Sequence, residues 1–307
     1  MAAERSLTPK AVQTGFPPGI AFIDGEYCSL AEAKLPILDW GFLRSDATYD
    51  VVHVWQGRFF RLDWHLERFY HGMDQLRLAL PFDRERLVEI LRECVKRAEL
   101  DNAYVEMICT RGVSPTFSRD PRDAVNRFIA FAIPFGWIAD EEQRARGLHI
   151  AVSKVTRIPP ASVDPTIKNY HWLDFVVALF DAYDRGAENV VLVDLKGCIA
   201  EGPGFNLFIV SNERVTTPQT GVLEGITRRT VMALCEELGL PMEYGLLTAE
   251  RLYHADEVFI SSTAGGVMSV TRVDGRDIGD GKPGPVTAQI RDLYWQKHED
   301  ADWTVDV

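Results

Sequence analysis

The fold and chemistry of this chain are decided by two short segments, Asp164-Pro-Thr-Ile-Lys-Asn169 and Glu201-Gly-Pro-Gly-Phe-Asn206. The proline in the first and the glycines in the second predict constrained loops, each of which places one ionisable side chain. A lysine amine such as that of Lys168 can form a Schiff base with an aldehyde. A buried carboxylate such as that of Glu201 can keep a pyridine nitrogen protonated. Together the two side chains indicate a site for pyridoxal 5'-phosphate (PLP).

The composition of the whole chain excludes several classes of protein. The chain has 307 residues, of which 46% are hydrophobic and 25% charged, as in a globular protein long enough for two domains. Its formal net charge of −12 argues against nucleic acid or an anionic membrane as a partner. The cysteines form no Cys-x-x-Cys pair and the histidines lack metal-ligand spacing, so we predict reduced thiols and no metal. Without an apolar leader or a membrane-length apolar run, we expect a cytoplasmic protein.

The first part of the chain predicts a small α/β domain over residues 1–135. Its Asp24-Gly25 and Gln56-Gly57 dipeptides each separate two strand-like runs, a strong signal for a hairpin. Apolar residues at three- and four-residue steps predict two amphipathic helices farther on. The predicted elements are strands at 20–23, 26–28, 49–55, 58–61, 104–110 and 127–133, and helices following Asp63 and over 83–97.

The second part predicts a larger, strand-rich domain over residues 148–307. Between the two parts, residues 136–147 are interpreted as a linker because 139–147 is polar and ends in glycine; an exposed helical turn fits these residues nearly as well. Strands and helices together indicate an α+β fold of two domains. The predicted elements are strands at 148–153, 189–194, 206–210 and 257–261, and helices at 171–185, 227–238 and 285–298.

Three further segments predict a binding site for a phosphate. Thr227 has the chemistry of a helix N-cap, and the N–H groups at a helix N-terminus attract anions. Ser261-Ser-Thr-Ala-Gly-Gly266 ends a predicted strand with hydroxyls and two glycines. Arg68 lies beside the apolar stripe of the first helix, where a guanidinium can bind phosphate with two hydrogen bonds. Taken singly, an ordinary cap, a plain loop and a surface salt bridge explain these segments equally well.

Taken jointly, these segments resemble the class IV, or fold-type IV, PLP-dependent aminotransferases from about residue 20 to 297. The most specific strings are 164–169, 201–206, 225–228 and 263–266. Within that family the chain is most similar to the (R)-selective amine:pyruvate transaminases. This closer similarity rests on Ser45-Asp-Ala-Thr-Tyr-Asp50, Val54-Trp55, Gly57-Arg-Phe-Phe-Arg-Leu62 and 164–169.

The resemblance implies a fold and a role for each matching residue. It implies a small N-terminal α/β domain, a larger pseudo-barrel C-terminal domain, and a homodimer with active sites at the interface. Lys168 would be the catalytic residue, binding the cofactor aldehyde and moving a proton between substrate and cofactor. Glu201 would pair with the pyridine nitrogen. The cofactor would be bound by Arg68, Lys168, Glu201, Asn206, Leu223, Ile226, Thr227 and Thr263, and the substrate pockets would be lined by Tyr49, Val51, Tyr104, Trp172 and Ala264.

Two positions depart from the pattern of the (R)-selective subgroup. Arg44 stands where its members usually carry histidine, and Phe117 stands where they often carry an arginine that receives a substrate carboxylate. We count both as substrate-binding positions, while Arg44, Arg119 and Arg122 are the alternatives for binding that carboxylate. The expected reaction transfers an amino group from an (R)-configured primary amine to a keto acid such as pyruvate. A D-amino acid aminotransferase, a branched-chain aminotransferase and a non-catalytic PLP-binding protein are the alternatives.

Overall fold

The computed structural model describes residues 15–307. Fifteen strands lie within this part of the chain. In chain order they are β1 (Ile20–Ile23), β2 (Glu26–Ser29), β3 (Ala47–Trp55), β4 (Arg58–Phe60), β5 (Ala103–Val113), β6 (Val125–Pro134), β7 (Leu148–Thr156), β8 (Asn189–Val193), β9 (Asn206–Ser211), β10 (Arg214–Pro218), β11 (Met242–Gly245), β12 (Glu257–Ser262), β13 (Gly266–Val273), β14 (Arg276–Asp277) and β15 (Thr304–Asp306).

Eight α-helices accompany the strands in residues 15–307, and no helix there is long and apolar enough to cross a membrane. Two short 3₁₀ turns lie at Pro121–Asp123 and Lys297–Glu299. The α-helices are α1 (Trp40–Arg44), α2 (Leu62–Leu76), α3 (Arg84–Arg97), α4 (Glu141–Arg146), α5 (Leu173–Asp184), α6 (Ile226–Glu237), α7 (Ala249–Tyr253) and α8 (Pro285–Gln296).

The first sheet is antiparallel, with the order β15-β4-β3-β5-β6-β1-β2. Helices α2 and α3 pack on it. Their apolar stripes, which the sequence predicted, enter one core that includes Phe69, Leu87 and Leu91 together with Val52 and Val105 of the sheet. Burying these side chains removes their apolar surface from water, which stabilises this half of the chain.

The second sheet is mixed, with the order β11-β10-β9-β12-β13-β7-β8 and β14 paired to β13. Its parallel pairs are β10 with β11, β13 with β7, and β7 with β8. Residues 198–201 form bridges and hydrogen bonds to β8 on one side and to residues 247–248, beyond β11, on the other. The sheet therefore curls toward closure, as the predicted pseudo-barrel requires, and the two-part α+β fold is confirmed.

Several details differ from the sequence-based predictions. Residues 141–146 of the predicted linker form a helix, because Asp140 and Gln143 make a capping box that satisfies its first N–H groups. The N-cap of α6 is Gly225, so Thr227 lies in the first turn instead. Lys168 lies in the loop before α5, and that helix begins at Leu173 instead of at residue 171. Strand β15 comes from the predicted C-terminal domain yet pairs with β4 of the first sheet. The division into domains at residues 136–147 stays a prediction.

Candidate active site

A cavity of about 610 Å³ opens between the two sheets, and most of the predicted site residues line it. Its walls combine residues of the first sheet with loops and strand ends of the second. The predicted residues that line it are Tyr49, Val51, Arg68, Tyr104, Lys168, Trp172, Glu201, Asn206, Leu223, Ile226, Thr227, Thr263 and Ala264.

Lys168 is fixed to the first sheet through its own backbone. Its carbonyl oxygen accepts hydrogen bonds from the Thr48 hydroxyl at 2.9 Å and from the Tyr49 N–H at 3.1 Å. Its amine lies 4.4 Å from the centre of the Tyr49 ring, on the cavity wall. The loop therefore places the Lys168 amine at the cavity wall from a backbone that is hydrogen-bonded to β3.

Glu201 is buried, and both of its oxygens have partners. The Leu223 N–H donates to one oxygen at 2.8 Å, and the Arg157 Nε donates to the other at 3.2 Å. Burial raises the pKa of Glu201, while the Arg157 guanidinium and the Leu223 N–H act in the opposite direction. Arg157 in turn donates to Asp174 at 2.7 Å. These contacts hold a carboxylate at the cavity wall in one orientation.

The turn after Glu201 depends on glycine. Gly204 has φ +79°, a region that favours glycine, and a Cβ at Gly202 would lie 2.0 Å from the Phe205 ring. Arg157 was missed by the sequence reasoning because it lies 44 residues before Glu201 at the end of a strand. Only the fold brings the two side chains together.

The N-terminus of α6 faces the cavity and is shaped for an anion. The first N–H groups of a helix have no partner within the helix, and the helix dipole favours negative charge there. Ile226 and Thr227 form this first turn and line the cavity. The Asn206 amide donates to the Leu223 carbonyl at 2.9 Å. A Cβ at Gly225 would lie 2.1 Å from the Asn206 Oδ1, so this approach requires glycine.

A buried hydroxyl beside this helix end fits the same ligand. Ser261 lines the cavity, and its Oγ is buried without a hydrogen-bond partner among the residues that the structure describes. A buried polar atom without a partner is destabilising unless a ligand or water supplies the bond. Thr263 lies two residues farther on, also at the cavity wall. The residues therefore fit a phosphate-bearing pyridine: a helix end and hydroxyls for the phosphate, a carboxylate for the ring nitrogen, and an amine for the aldehyde.

Arg68 reaches the cavity in a fixed orientation. It donates to both oxygens of Asp50, at 2.7 and 2.9 Å, and to the Glu224 carbonyl at 3.0 Å. His65 Nδ1 lies 2.7 Å from the same carboxylate. Burial opposes ionisation of Asp50, but Arg68 and His65 outweigh it and lower its pKa well below the usual range. A pair of hydrogen bonds to a buried carboxylate thus aims the guanidinium before any ligand arrives.

Two residues that the sequence reasoning missed, Glu106 and Tyr170, contact the cavity residues Tyr104 and Tyr49. The Tyr170 ring stacks on Tyr49, with centroids 4.2 Å apart, and its hydroxyl donates to Glu106 at 2.6 Å. The Tyr104 hydroxyl donates to the other oxygen of Glu106 at 3.3 Å. The alternation along β5 was a usable signal, since Tyr104 and Glu106 are two residues apart and share a face.

Arg44 and Phe117 lie outside the cavity of the single chain. Arg44 is exposed, with its guanidinium 3.6 Å from the centre of the Trp40 ring. Phe117 is 77% exposed in the loop after β5, with φ +56°. Arg119 and Arg122 belong to the same loop, where Arg122 pairs with Asp120. A substrate-binding role for any of these residues stays a prediction.

Comparisons with known proteins agree with this geometry. Residues 47–273 match the family model described as amino-transferase class IV. The chain is 30% identical to a putative branched-chain-amino-acid aminotransferase of Methanocaldococcus jannaschii, over 89% of this chain and 94% of that protein. It is also 30% identical to a D-alanine aminotransferase of Staphylococcus haemolyticus, over 89% and 95%.

A solved structure shows the same fold. It is a branched-chain amino acid aminotransferase from T.th., crystallised with pyridoxamine 5'-phosphate, which superposes with a TM-score of 0.89 at 27% identity and covers 95% of this chain and 99% of that one. These findings confirm the expectation of a PLP-dependent aminotransferase of fold-type IV. The chain belongs to the class IV aminotransferases.

Proposed function

We propose that the enzyme transfers an amino group from an (R)-configured primary amine to a keto acid such as pyruvate, in two half-reactions. The observation that carries this proposal is the charge on the cavity wall. Within residues 15–307, the cationic side chains lining the cavity are Lys168, Arg68 and Arg157. Both arginines already pair with carboxylates of the chain, Arg68 with Asp50 and Arg157 with Asp174 and Glu201. The wall therefore favours a donor that has no carboxylate.

PLP, when bound, supplies an aldehyde for the amine and a ring that withdraws electrons from the substrate carbon. The residues of this chain would hold the cofactor and move the proton. Glu201 would hold the ring nitrogen protonated. The phosphate would be bound by Arg68, Ile226, Thr227, Ser261 and Thr263. Asn206 would act through the Leu223 turn, and Leu223 would pack on the ring. The Lys168 Nζ would take the proton from the substrate carbon as a general base and would deliver a proton to the cofactor carbon that carried the aldehyde. The second half-reaction would move a proton in the opposite direction.

The remaining walls support an amine with an apolar substituent. Tyr49, Val51, Tyr104, Ile133 and Ala264 line the cavity on this side, and aromatic and aliphatic surface favours an aryl or alkyl group. The carboxylate of the keto acid needs separate donors. We propose that the backbone at Thr263 and Ala264 or the exposed arginines of the 114–124 loop provide them.

We also propose that two copies of the chain assemble across an exposed apolar surface beside the cavity. Helix α5 exposes Leu173 by 79% and Phe180 by 64%, along with Val176 and Val177 on the same face, and its N-cap is the cavity residue Trp172. Exposed apolar surface of this kind is typical of an interface. A second copy would also bring an Arg44 and a Phe117 toward this region. Sedimentation of the wild type and Phe180→Asp tests the assembly, with dissociation expected for the variant. A cytoplasmic location stays a proposal from the sequence.

A second candidate function is transfer from a D-amino acid, and a third is transfer from a branched-chain amino acid. The names of the relatives given above favour both candidates. Under either, a donor carboxylate would have to be bound by groups other than the paired arginines. A non-catalytic PLP-binding protein is disfavoured by the membership of the chain in an aminotransferase family.

The donor half-reaction distinguishes these functions. PLP-loaded enzyme is mixed with one donor at a time, and conversion of the cofactor is followed by absorbance, before pyruvate is added to complete the cycle. The donors are (R)-1-phenylethylamine, its (S) enantiomer, D-alanine and L-leucine. We expect the highest kcat/KM for the (R)-amine. A higher value for D-alanine or L-leucine would replace the proposed function with the corresponding alternative.

A further inference from the structure

The loop that carries Lys168 closes an edge of β3 that β4 leaves uncovered. Strand β4 pairs with β3 only at residues 54–55, so the earlier N–H groups on that edge need other partners. The Tyr49 N–H donates to the Lys168 carbonyl at 3.1 Å. The next N–H on the same edge, that of Val51, donates to the Asp50 carboxylate at 2.8 Å. The Lys168 backbone is therefore tied to the strand that contributes Tyr49 and Val51 to the cavity wall.

Thr48 gives the Lys168 carbonyl a second hydrogen bond. Its hydroxyl donates to that oxygen at 2.9 Å, across 120 residues of the chain. The Tyr49 N–H already satisfies the carbonyl, so this second bond is not needed to avoid a buried unpaired oxygen. Two donors on one carbonyl instead restrict how its peptide plane can turn, and that plane contains the Lys168 Cα. The pair of bonds thus sets where the lysine side chain begins.

Helix α2 keeps the Thr48 hydroxyl in this position. Thr48 is 1% exposed, and a Cβ added to Gly72 of α2 would lie 2.5 Å from its Oγ and 3.3 Å from its Cβ. Threonine is branched at Cβ and therefore has few allowed rotamers. The close approach of the helix leaves the hydroxyl little room to turn away from the Lys168 carbonyl.

The position of the Lys168 Cα matters because a flexible carbon chain separates it from the amine. The amine lies 4.4 Å from the centre of the Tyr49 ring. In the proposed function this amine adds to the aldehyde carbon of PLP, and a C=N bond replaces the C=O bond as water leaves. Misplacing a reacting group by about 1 Å can slow a reaction by about a hundredfold. A residue that fixes the Lys168 backbone therefore affects the chemistry without touching the cofactor.

We propose that Thr48 is a positioning residue, whose hydroxyl fixes the Lys168 backbone and so the point from which the amine enters the cavity. This inference rests on the proposed role of Lys168 and deepens it. Thr48 does not itself line the cavity, so its effect passes through the Lys168 carbonyl.

The test measures how fast Lys168 captures PLP. Apo-protein is mixed with PLP, capture is followed by stopped-flow absorbance, and borohydride trapping with peptide mass spectrometry identifies the lysine. Thr48→Val keeps the shape of the side chain and removes the hydroxyl, so we expect capture to slow by about tenfold. The kcat of the donor half-reaction should fall by a similar factor, with KM nearly unchanged.

Binding of pyridoxamine 5'-phosphate separates positioning from a general loss of structure. This molecule has an amine in place of the aldehyde, so a lysine cannot capture it. Its Kd should be unchanged in Thr48→Val, because the proposed phosphate and ring contacts involve neither Thr48 nor the Lys168 carbonyl. Thr48→Ser retains the hydroxyl and should capture PLP within about twofold of the wild-type rate.

Two more variants make the outcome decisive. Thr271→Val is a matched control, because the buried Thr271 hydroxyl also donates to a distant carbonyl, that of Arg146, at 3.1 Å across 125 residues and away from the cavity wall. This variant should capture PLP at the wild-type rate. Gly72→Ala pushes on the Thr48 hydroxyl and should slow capture in the same way, which decides the question if Thr48→Val does not fold.

An unchanged capture rate in Thr48→Val and Gly72→Ala, or a loss that Thr48→Ser does not restore, would overturn the inference. A Kd for pyridoxamine 5'-phosphate that rises by the same factor as capture slows would make Thr48 a structural residue. The role of Lys168 fails in a different way: PLP would be trapped on another lysine of the wild type, and the inference would fall with it. Capture needs no donor, so the result holds whichever amine the enzyme uses.

Discussion

The cofactor side of the cavity and its substrate side are built in different ways. On the cofactor side, Glu201, Leu223 and Asn206 are joined by short hydrogen bonds within the second half of the chain. On the substrate side, Tyr104, Glu106 and Tyr170 come together across the two halves, and Arg44 and Phe117 remain exposed. Under the proposed roles, the first arrangement would hold one ligand in one orientation. The second leaves selectivity to a few side chains and to surfaces that a second copy would complete.

If this contrast is right, substitutions on the cofactor side lower activity with every donor, and substitutions on the substrate side change which donor is preferred. The largest effect is expected for Lys168→Ala, which removes the general base and the amine that binds the aldehyde. Turnover with every donor should fall by about 10⁴-fold or more, while the thermal midpoint changes little. Steady-state assays with (R)-1-phenylethylamine and D-alanine measure this, and retained transamination by the variant would contradict the role of Lys168.

Glu201→Gln should have the next largest effect. Without the negative charge the ring nitrogen would lose its proton, so kcat should fall by about a hundredfold, as for other preorganised electrostatic groups. The loss should be equal for (R)-1-phenylethylamine and D-alanine, because the ring nitrogen serves both reactions. Stopped-flow absorbance of the donor half-reaction with each donor, in Glu201→Gln and in the wild type, measures this loss. A change of donor preference in Glu201→Gln would contradict the contrast between the two sides of the cavity.

Gly225→Ala tests the phosphate end of the cofactor side. The added Cβ would lie 2.1 Å from the Asn206 Oδ1, so the turn before α6 must shift and PLP affinity should fall by about tenfold. Gly136→Ala is a matched control, because Gly136 also lines the cavity but has open space for a Cβ. Titration of apo-protein with PLP compares the two. Equal PLP affinity in both variants would argue against a phosphate-binding site at Gly225.

The smallest effect is expected on the stability of the fold, at a contact between two histidines of the two halves. His53 of β3 and His298 after α8 lie with their Nε2 atoms 2.7 Å apart, both buried. Burial lowers the pKa of His53 well below the usual range, and it lowers that of His298 to about 4. The unfolded state therefore binds more protons below about pH 6.5, and stability is lost as the pH falls from about 6.5 toward 4.

Urea unfolding at pH 7 and pH 5 measures this loss, which we expect to be about 1–3 kcal/mol. The variant His298→Gln should reduce the difference between the two pH values, whereas His254→Gln, at an exposed histidine, should not. A loss of the same size in all three proteins would assign the pH dependence to other groups.

The same contrast explains what could be predicted from the sequence. Lys168, Glu201 and the glycines around them lie in short segments whose residue types indicate the local backbone conformation. The periodicity of apolar residues predicted most strands and helices. Arg157, Glu106 and Tyr170 act across 44 and 64 residues of sequence, and only the fold brings them to their partners. Strand β15 was missed because three residues carry no alternation signal and its partner β4 lies at the other end of the chain.

The most direct test of the central claim asks which lysine binds the cofactor. Protein loaded with PLP is reduced with borohydride, digested, and analysed by peptide mass spectrometry. We expect a pyridoxyl adduct on Lys168, which is lost when an amine donor is added before reduction. An adduct on another residue, such as Lys154, or no adduct on Lys168 in active enzyme, would contradict it.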